Sequence, residues 1–581
     1  MAVDTRVSLW LFALGMLLGC GRTAAPPGVG DESEGAIAGT VGASASGGGS
    51  GPGAMGGAAS GGIASGGTAA RPIDPSLPSP TLRLPLNGRA TGSVWAERSL
   101  RPRFSWQAGP AFTFELQVDD SCEVGAIQSC PFASPEWTAQ DLAVSEVVPP
   151  MGLPVSEEAP VGRRYYWRVR SCTSAACSPW SSIRYVDVGR QHGDFDGDGF
   201  ADVVVADQGS VARQGRVLVG FGPVPSSRTV LLADAVAPET PDHFGAVAAP
   251  LGDMDADGFA DLLVTAPGDQ QQLPGIAYVF FGNPTFADPS SHVRLQVDAG
   301  EAAARLTAAI PAGDVDADGM RDFVVDFHPT GSQLLRGFHR DVSATPLSVA
   351  QHPVWLQMSS AGDVTGDGYS DLLLVSTPPG STSGSRYDLR RGTATGFDDA
   401  PVVGEATGFP NAWWSITGDV NGDGFSDLGK AVNAPSDVSS FRIEVTWGEE
   451  QPQLAESATT WAGGLTGAYA NVGEAMPAGD VNADGYDDSL ARIIWHSSDR
   501  AQVNLYLGGM GSRPAPDAVY AFQTGVALFI SESLPSAAGD VNGDGFADIL
   551  LAEDYGGTAQ LFFGGESLDT TPDDHLALPP P

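Results

Sequence analysis

The sequence of 581 residues predicts an all-β fold, a seven-bladed β-propeller preceded by an antiparallel β-sandwich. Two observations support this prediction. A nine-residue segment rich in Asp and Gly recurs seven times after residue 193, at intervals of 49 to 61 residues. Short apolar runs follow the copies, and short runs of alternating apolar and polar residues occur across residues 72–189. Four-stranded units of about sixty residues, repeated seven times, fit a seven-bladed propeller.

The first twenty residues have the pattern of an export signal. Arg6 precedes an apolar run at 7–18, which is too short to be a permanent membrane span. The run ends in Leu17-Leu18-Gly19-Cys20, which looks like a bacterial lipobox and implies cleavage before Cys20 and lipidation of this cysteine. An ordinary signal peptide with an incidental cysteine is the alternative. The residue after the cysteine is Gly21 and not the Asp that favours inner-membrane retention in proteobacterial lipoproteins. We therefore expect the protein at the outer membrane or cell surface rather than at the inner membrane.

The chain is strongly acidic, with 70 Asp and Glu residues against 30 Lys and Arg residues and a formal net charge of -40. Such a charge repels nucleic acid and anionic lipid and favours cations. We therefore expect no nucleic-acid partner, and contact with a membrane only through a lipid anchor. Hydrophobic residues make up 42% of the chain, so most of it can bury a core.

Composition and patterning divide the chain into four segments. Residues 1–20 are the predicted lipoprotein signal, and residues 21–71 are rich in Gly, Ala, Ser and Pro. This second segment has too little apolar surface to offset the entropy of ordering, which predicts a disordered tether. Residues 72–189 are the predicted sandwich, and residues 190–581 are the predicted propeller.

The predicted sandwich resembles a fibronectin type III domain. It has a Pro-rich start, Trp106 on an early strand and Tyr166-Trp167-Arg168-Val169 on a late strand. The resemblance implies a two-sheet antiparallel fold. Trp106 and Trp167 are expected in its core rather than in a ligand platform.

Four further cysteines in an exported chain suggest two disulfides, and three pairings are possible. The close spacing of Cys122 with Cys130, and of Cys172 with Cys177, favours two local bridges. Metal ligation is the weaker alternative, because no histidine accompanies these cysteines.

The seven repeated segments, here called loops L1 to L7, share one pattern of oxygen-bearing side chains. Positions 1, 5 and 9 are Asp, position 3 is Asp, Thr or Asn, and position 6 is Gly. The predicted metal ligands are Asp194, Asp196, Asp198 and Asp202 in L1; Asp253, Asp255, Asp257 and Asp261 in L2; Asp314, Asp316, Asp318 and Asp322 in L3; Asp363, Thr365, Asp367 and Asp371 in L4; Asp419, Asn421, Asp423 and Asp427 in L5; Asp480, Asn482, Asp484 and Asp488 in L6; and Asp540, Asn542, Asp544 and Asp548 in L7.

These oxygens suit a hard cation. Ca²⁺ accepts irregular sets of six to eight oxygen ligands, whereas Mg²⁺ requires a tighter octahedron, and the absence of His and Cys argues against zinc or copper. EF-hands are excluded, because they need a Glu at position 12 and flanking helices, whereas here an apolar strand follows the loop. The sequence therefore predicts up to seven bound Ca²⁺ and a fold class of all-β, a seven-bladed calcium-binding β-propeller preceded by an antiparallel β-sandwich. Position 9 is expected to be both the last ligand and the first strand residue.

These features resemble the FG-GAP repeats of integrin α subunits and the related bacterial VCBS-type repeat proteins. Phe244-Gly245 before L2 and the strand Gly275-Ile-Ala-Tyr-Val279 are the clearest matches. The resemblance implies an integrin α-like propeller whose calcium loops lie on the face opposite the ligand. The source of the first blade's inner strand stays open: residues 186–193 and residues 575–578 are both candidates.

The function predicted from these features is a surface-anchored, calcium-dependent recognition or adhesion protein. Its propeller would be the scaffold for a protein or glycan ligand at the cell surface. A carbohydrate-active enzyme or its binding subunit is one alternative, with Trp413, Trp414 and Trp461 as possible sugar platforms. A purely structural component of the cell envelope is another. We expect no enzymatic activity, because none of the eight histidines falls in a known catalytic motif.

Overall fold

The computed structural model describes residues 71–577 except 110–111, 208–214, 225–227, 234–242, 268–274, 289–293, 299–304, 329–330, 339–346, 351–354, 377–384, 407–412, 434–440, 455–456, 463–469, 496–499, 524–534 and 554–557. The described residues from Pro72 onward belong to one compact unit. The predicted signal, Cys20 and the predicted tether up to residue 70 lie outside the described residues. Within the described ranges, no helix combines the length and the apolar character that crossing a membrane requires.

The N-terminal region, residues 72–189, forms two antiparallel sheets with one parallel strand pair and two short 3-10 helices at Glu97–Leu100 and Ile127–Ser129. The larger sheet has the order β2-β8-β7-β4-β5, and the smaller has the order β1-β3-β6. The strands are β1 (Thr81–Leu82), β2 (Arg89–Ala90), β3 (Phe104–Gln107), β4 (Thr113–Asp119), β5 (Trp137–Leu142), β6 (Glu146–Val147), β7 (Arg163–Cys172) and β8 (Arg184–Val188).

One apolar cluster joins the inner faces of these two sheets. Trp106 from the smaller sheet and Trp167 from the larger one both lie in it, 3% and 0% exposed, which confirms their predicted place in the core. The two local disulfides are also confirmed: Cys122–Cys130 and Cys172–Cys177 span Cα–Cα distances of 5.2 and 4.0 Å. Assignment of the region to the fibronectin type III class stays a prediction.

Beyond residue 189 the described chain forms seven small antiparallel sheets, here called S1 to S7. Consecutive strands are neighbours in each sheet, apart from the β23-β24 hairpin (Gly392–Thr393 and Gly396–Phe397) inserted in S4. The strands are, in S1, β9 (Val203–Asp207), β10 (Arg216–Gly220) and β11 (Thr229–Ala233); in S2, β12 (Ala248–Gly252), β13 (Asp261–Ala266), β14 (Ile276–Phe280) and β15 (Arg294–Asp298); in S3, β16 (Arg305–Gly313), β17 (Asp322–His328), β18 (Gly331–Leu335) and β19 (Leu347–Ala350); in S4, β20 (Trp355–Gly362), β21 (Asp371–Ser376), β22 (Ser385–Arg390) and β25 (Val402–Ala406); in S5, β26 (Trp413–Gly418), β27 (Asp427–Asn433), β28 (Phe441–Thr446) and β29 (Thr459–Ala462); in S6, β30 (Ala470–Gly479), β31 (Asp488–Trp495), β32 (Arg500–Tyr506) and β33 (Ala518–Gln523); and in S7, β34 (Pro535–Gly539), β35 (Asp548–Glu553), β36 (Thr558–Phe562) and β37 (Asp574–Ala577).

Both faces of these sheets are buried, which explains why their strands read as continuous apolar runs. Successive side chains of a strand point to opposite faces, so Leu262 and Val264 of β13 pack toward S1, while Leu263 packs toward S3. Every sheet shares an apolar cluster with the next one in this way. A seventh cluster joins S7 to S1, with Leu550 and Leu561 against Val203 and Leu218. The packing order is therefore cyclic.

Sheet S1 has three strands in the described part of the chain, whereas S2 to S7 have four strands each. Within the described residues, neither predicted source forms an inner strand for it. Residues 184–188 belong to β8 of the N-terminal region, and β37 (Asp574–Ala577) is the outermost strand of S7, paired with β36. From residues 186–193, the carbonyl of Gly193 accepts the N–H of Asp202 at 2.8 Å. Apolar packing joins S7 to S1.

A glycine follows the second strand after each loop, at positions 222, 282, 337, 392, 448, 508 and 564. A Cβ atom at any of them would lie 2.2 to 2.5 Å from an atom of the preceding loop segment. At Gly282 this atom is the carbonyl oxygen of Ala260, at 2.3 Å. The chain at this point passes too close to the loop to accept any side chain.

We predict that Gly282→Ala destabilises the protein by about 2 to 3 kcal/mol, because the new methyl group forces backbone apart in a packed region. Urea denaturation followed by tryptophan fluorescence measures the loss. Gly193→Ala is the matched control, because its Cβ would lie 3.6 Å from the nearest atom, at an ordinary contact distance. Equal stability of the two variants would contradict the close-approach explanation.

Candidate metal centre

Each loop folds around the carboxylate at position 1. Its Oδ2 accepts a hydrogen bond from the N–H of the glycine at position 6, at 2.7 to 3.1 Å in all seven loops. The position 5 carboxylate accepts a bond from the N–H of position 7, at 2.8 to 3.1 Å. The glycine at position 6 has φ between 85° and 97°, a conformation that L side chains rarely adopt. The loop sequence therefore encodes its own tight turn.

The carboxylate at position 9 joins the loop to its sheet. Its Oδ2 accepts from the N–H of position 2, at 2.7 to 3.0 Å. Its Oδ1 accepts from the N–H of the close-approach glycine described above, also at 2.7 to 3.0 Å. In six loops position 9 is also the first residue of a strand, as predicted, whereas in L1 the strand begins one residue later, at Val203.

Neighbouring loops are linked through their backbones. The N–H of position 8 donates to the carbonyl oxygen of position 1 in the preceding loop, at 2.9 to 3.1 Å for every neighbouring pair. The series includes Ala201 of L1, whose N–H donates to Asp540 of L7 at 3.0 Å. The seven loops therefore form a closed circuit of hydrogen bonds at one end of the sheets.

The predicted ligands of L1, L2 and L3 converge. In each of these loops one oxygen from each of positions 1, 3 and 9 lies within 4.8 Å of the other two. The position 3 side chains Asp196 and Asp316 are 4% and 8% exposed, and Oδ1 of each has no hydrogen-bond partner among the described residues. In L4 the same holds for Oδ1 of Asp363 and Oγ1 of Thr365. Buried oxygens without donors, grouped with other carboxylates, fit a hard cation such as Ca²⁺.

The electrostatics of these clusters support the same conclusion. Burial, reinforced by the neighbouring carboxylates, raises the pKa of Asp202 and of Asp322 well above the usual range of an aspartate. Burial likewise raises the pKa of Asp194 to about 8. A bound cation would oppose these pKa shifts, because its positive charge stabilises the ionised form of the buried carboxylates.

Two arginines partly offset this charge from within the repeats. Arg336 bonds Oδ2 of Asp316 at 2.9 Å, and Arg228 bonds Oδ2 of Asp196. In both cases the arginine bonds Oδ2, and Oδ1 has no hydrogen-bond partner among the described residues. Sequence reasoning missed both arginines, because nothing in the loop pattern marks a residue 20 or 32 positions away.

Loops L5, L6 and L7 differ at position 3. The amides of Asn421, Asn482 and Asn542 donate to Oδ2 of the position 5 aspartate, at 2.9 to 3.0 Å. Their Oδ1 atoms accept the N–H of the same aspartate, at 2.8 to 3.1 Å. The structure therefore brings the predicted residues of these loops together, but their asparagines are satisfied within the loop and each loop has one carboxylate fewer than L1 to L3.

The N-terminal region contacts the loops through hydrogen bonds to carbonyl oxygens at positions 4, 5 and 6. The donors come from several separate segments of the region, and the bonds reach L1, L3, L4 and L7. They are Val161 N to Gly197 at 3.1 Å, Trp95 Nε1 to Asp198 at 3.1 Å, Gly125 N to Asp318 at 2.7 Å, Arg184 Nη2 to Gly366 at 2.8 Å, Asn87 Nδ2 to Gly368 at 2.7 Å and Arg98 Nη2 to Asp544 at 3.1 Å.

Side chains of the N-terminal region also contact further loops. Arg83 lies over the ring of Phe425 in L5, at 4.1 Å from its centroid, and Arg89 bonds Asp487 of L6 at 2.7 Å. A cavity beside L2 is lined by Arg163 and Arg164 of the N-terminal region together with Asp253 and other loop residues. The N-terminal region therefore approaches all seven loops.

Comparison with known proteins agrees with this architecture. The FG-GAP repeat family matches residues 244–280, which include L2 and the strands on either side of it. Integrin alpha-4 from Xenopus laevis is 30% identical over 150 residues, a match that covers 24% of this chain and 14% of the integrin subunit. The chain thus contains an FG-GAP repeat and has weak similarity to an integrin α subunit. Its all-β arrangement of many small sheets is consistent with an FG-GAP β-propeller.

Among solved structures, the chain is also similar to one described as "Crystal structure of an ACO/RPE65 chimera". This likeness has 10% sequence identity and a TM-score of 0.25, and it covers 78% of this chain and 98% of that chain. A TM-score at this level has no bearing on the fold or the activity of the chain.

We predict that Asp322→Asn destabilises the protein by about 2 kcal/mol in Ca²⁺, because one N–H loses its charged acceptor and the cation loses a ligand. In excess chelator the loss should be much smaller, since the substitution also removes a crowded buried charge. Urea denaturation in both buffers measures this difference. The exposed Asp399→Asn variant is the control and should shift stability by less than about 0.5 kcal/mol in either buffer. An equal loss for Asp322→Asn with and without calcium would rule out a metal role for L3.

Proposed function

We propose that residues 190–581 form a calcium-loaded, seven-bladed β-propeller, with S1 to S7 as its blades. The cyclic packing of the sheets and the closed circuit of loop hydrogen bonds support this architecture. The convergent oxygens of L1 to L3 and the two unpartnered oxygens of L4 support the metal. Residues at positions 1, 3, 5 and 9 would hold the ions, which would supply positive charge where the carboxylates are crowded.

We infer further that this propeller is the recognition scaffold of a cell-surface adhesion or recognition protein. The FG-GAP repeat and the similarity to integrin alpha-4 support a surface or extracellular role. Lipidation of Cys20 would attach the chain to the outer membrane or cell surface, and residues 21–71 would separate the folded part from the membrane. Labelling of the wild-type chain with palmitate, and its loss in Cys20→Ser, tests the anchor.

The observation that supports the binding role is that the N-terminal region contacts the loops. Because the N-terminal region contacts the loop face, a protein or glycan ligand would bind elsewhere on the propeller, toward the ends of the sheets away from the loops. The loop aspartates accept hydrogen bonds from the loop backbone. This supports a structural role for these carboxylates rather than an acid and base pair of a glycosidase.

The tryptophans considered as sugar platforms also favour a recognition protein over a carbohydrate-active enzyme. Trp414 and Trp461 are 2% and 0% exposed and lie in apolar clusters between neighbouring sheets. The side chain of Trp413 lies outside the described residues. Two of the three tryptophans therefore contribute to packing and are inaccessible to a sugar ring.

We predict that the full chain binds a surface glycan or protein in Ca²⁺, without chemical turnover, and loses this binding in chelator. Glycan arrays and pull-downs from envelope extracts, each with and without Ca²⁺, measure it. Asp322→Asn should weaken binding, and Asp399→Asn should leave it unchanged. Release of oligosaccharide from a bound polysaccharide would overturn the recognition role, as would binding that is equally strong in chelator.

A further inference from the structure

Two residues outside the repeats reach the predicted metal-binding carboxylates. Tyr185 donates its hydroxyl hydrogen bond to Oδ2 of Asp314, the position 1 residue of L3, at 2.8 Å. Arg184 Nη2 lies 3.4 Å from Oδ2 of Asp363, the position 1 residue of L4. Tyr185 is 0% exposed and Arg184 is 3% exposed, so neither contact is a surface contact. Neighbouring residues of β8 therefore reach neighbouring loops.

Both contacts involve the same atom of the position 1 carboxylate. Oδ2 of Asp314 and Oδ2 of Asp363 also accept the position 6 N–H of their own loops, at 3.0 Å. Oδ1 of Asp363 has no partner in the described part of the chain, and the same is true of Oγ1 of Thr365 beside it. In L4 the β8 side chain thus contacts one carboxylate oxygen, while the other has no partner among the described residues. In L3 the other oxygen, Oδ1 of Asp314, accepts the N–H of Asp318 at 3.1 Å.

An arrangement of this kind matters in metal sites, because groups that bond a ligand's second oxygen hold the ligand in its binding orientation. Loss of such a partner commonly reduces metal affinity 10- to 100-fold. The contacts beside these two residues add rigidity. Arg184 also donates to the carbonyl of Gly366 at 2.8 Å, and the N–H of Gly125 donates to Asp318 of L3 at 2.7 Å.

From this geometry we propose that Arg184 and Tyr185 are positioning residues for the cation sites of L4 and L3, so that these two sites are completed by the N-terminal region. Cation binding and docking of the N-terminal region are then coupled, and by linkage each strengthens the other equally. Removal of the cation loosens the contacts of the region with L3 and L4, while loss of a β8 contact lowers cation affinity. The proposal rests on calcium binding by the loops, as proposed above.

Tyr185→Phe tests the first half of the coupling, because it removes a single hydroxyl and keeps the ring. We expect calcium affinity at one site to fall about tenfold, measured by isothermal titration calorimetry of the full chain. Tyr165→Phe is the matched control: this buried hydroxyl bonds the carbonyl of Pro154 within the N-terminal region. The control should bind calcium like the wild type. Unchanged affinity in Tyr185→Phe would overturn the positioning role.

Hydrogen exchange of the wild-type chain tests the second half without a variant. Two backbone amides of the N-terminal region, Gly125 and Val161, donate directly to loop carbonyls. Chelation should accelerate exchange at Gly125, which bonds L3, at least tenfold. The N–H of Trp106, which donates to Ser145 at 3.0 Å inside the N-terminal region, is the internal reference and should change little.

The possible failures are distinguishable. If the wild-type chain binds no Ca²⁺, the proposed function fails and the inference fails with it. If the chain binds Ca²⁺ but Gly125 exchanges at the same rate with and without it, only the coupling is wrong. If Tyr185→Phe binds Ca²⁺ as well as Tyr165→Phe does, Tyr185 contributes packing alone.

Discussion

The structure beyond residue 189 depends on one buried interaction, the pair of hydrogen bonds that the carboxylate at position 9 of each loop accepts. Its two oxygens accept the N–H of position 2 and the N–H of a glycine 15 to 21 residues later. One side chain therefore fixes the loop, the start of the first strand and the end of the second. The glycine is required because the strand must approach the loop backbone closely enough for this bond. Repeated seven times, the interaction places every loop at the same end of its sheet.

This constraint concentrates negative charge. Position 9 is almost completely buried, and in L1 to L3 it stands beside two further aspartates. Arginines compensate in part: Arg228 and Arg336 come from the repeats, and Arg184 comes from the N-terminal region. Each of them contacts Oδ2 of its aspartate, whose Oδ1 has no hydrogen-bond partner among the described residues. The arginines therefore leave one oxygen of each of these aspartates for the proposed calcium ions.

Local features of this fold could be predicted from the sequence, because they depend on residues a few positions apart. The loop pattern determines its own turn and its strand start, and close spacing determines the two disulfides. The core positions of Trp106 and Trp167 followed from alternation within short strands. The likeness of the sheets to a propeller followed from repetition.

Contacts between distant segments could not be predicted in this way. Tyr185 and Asp314 lie 129 residues apart, and no feature of the sequence indicates that they form a pair. The contact between S7 and S1 was also open, because it relies on apolar packing and on the bond from Ala201 to Asp540. An apolar surface is compatible with many partners, so the sequence alone does not select this one.

The central claim is that calcium and the circuit of loops hold the ring together as one unit. Differential scanning calorimetry of the full chain, in millimolar Ca²⁺ and then in excess chelator, tests it most directly. We expect a dominant cooperative transition whose midpoint falls by about 10 °C when calcium is removed, since several sites each contribute about 2 to 3 kcal/mol at saturation. The same midpoint in both buffers would contradict the claim.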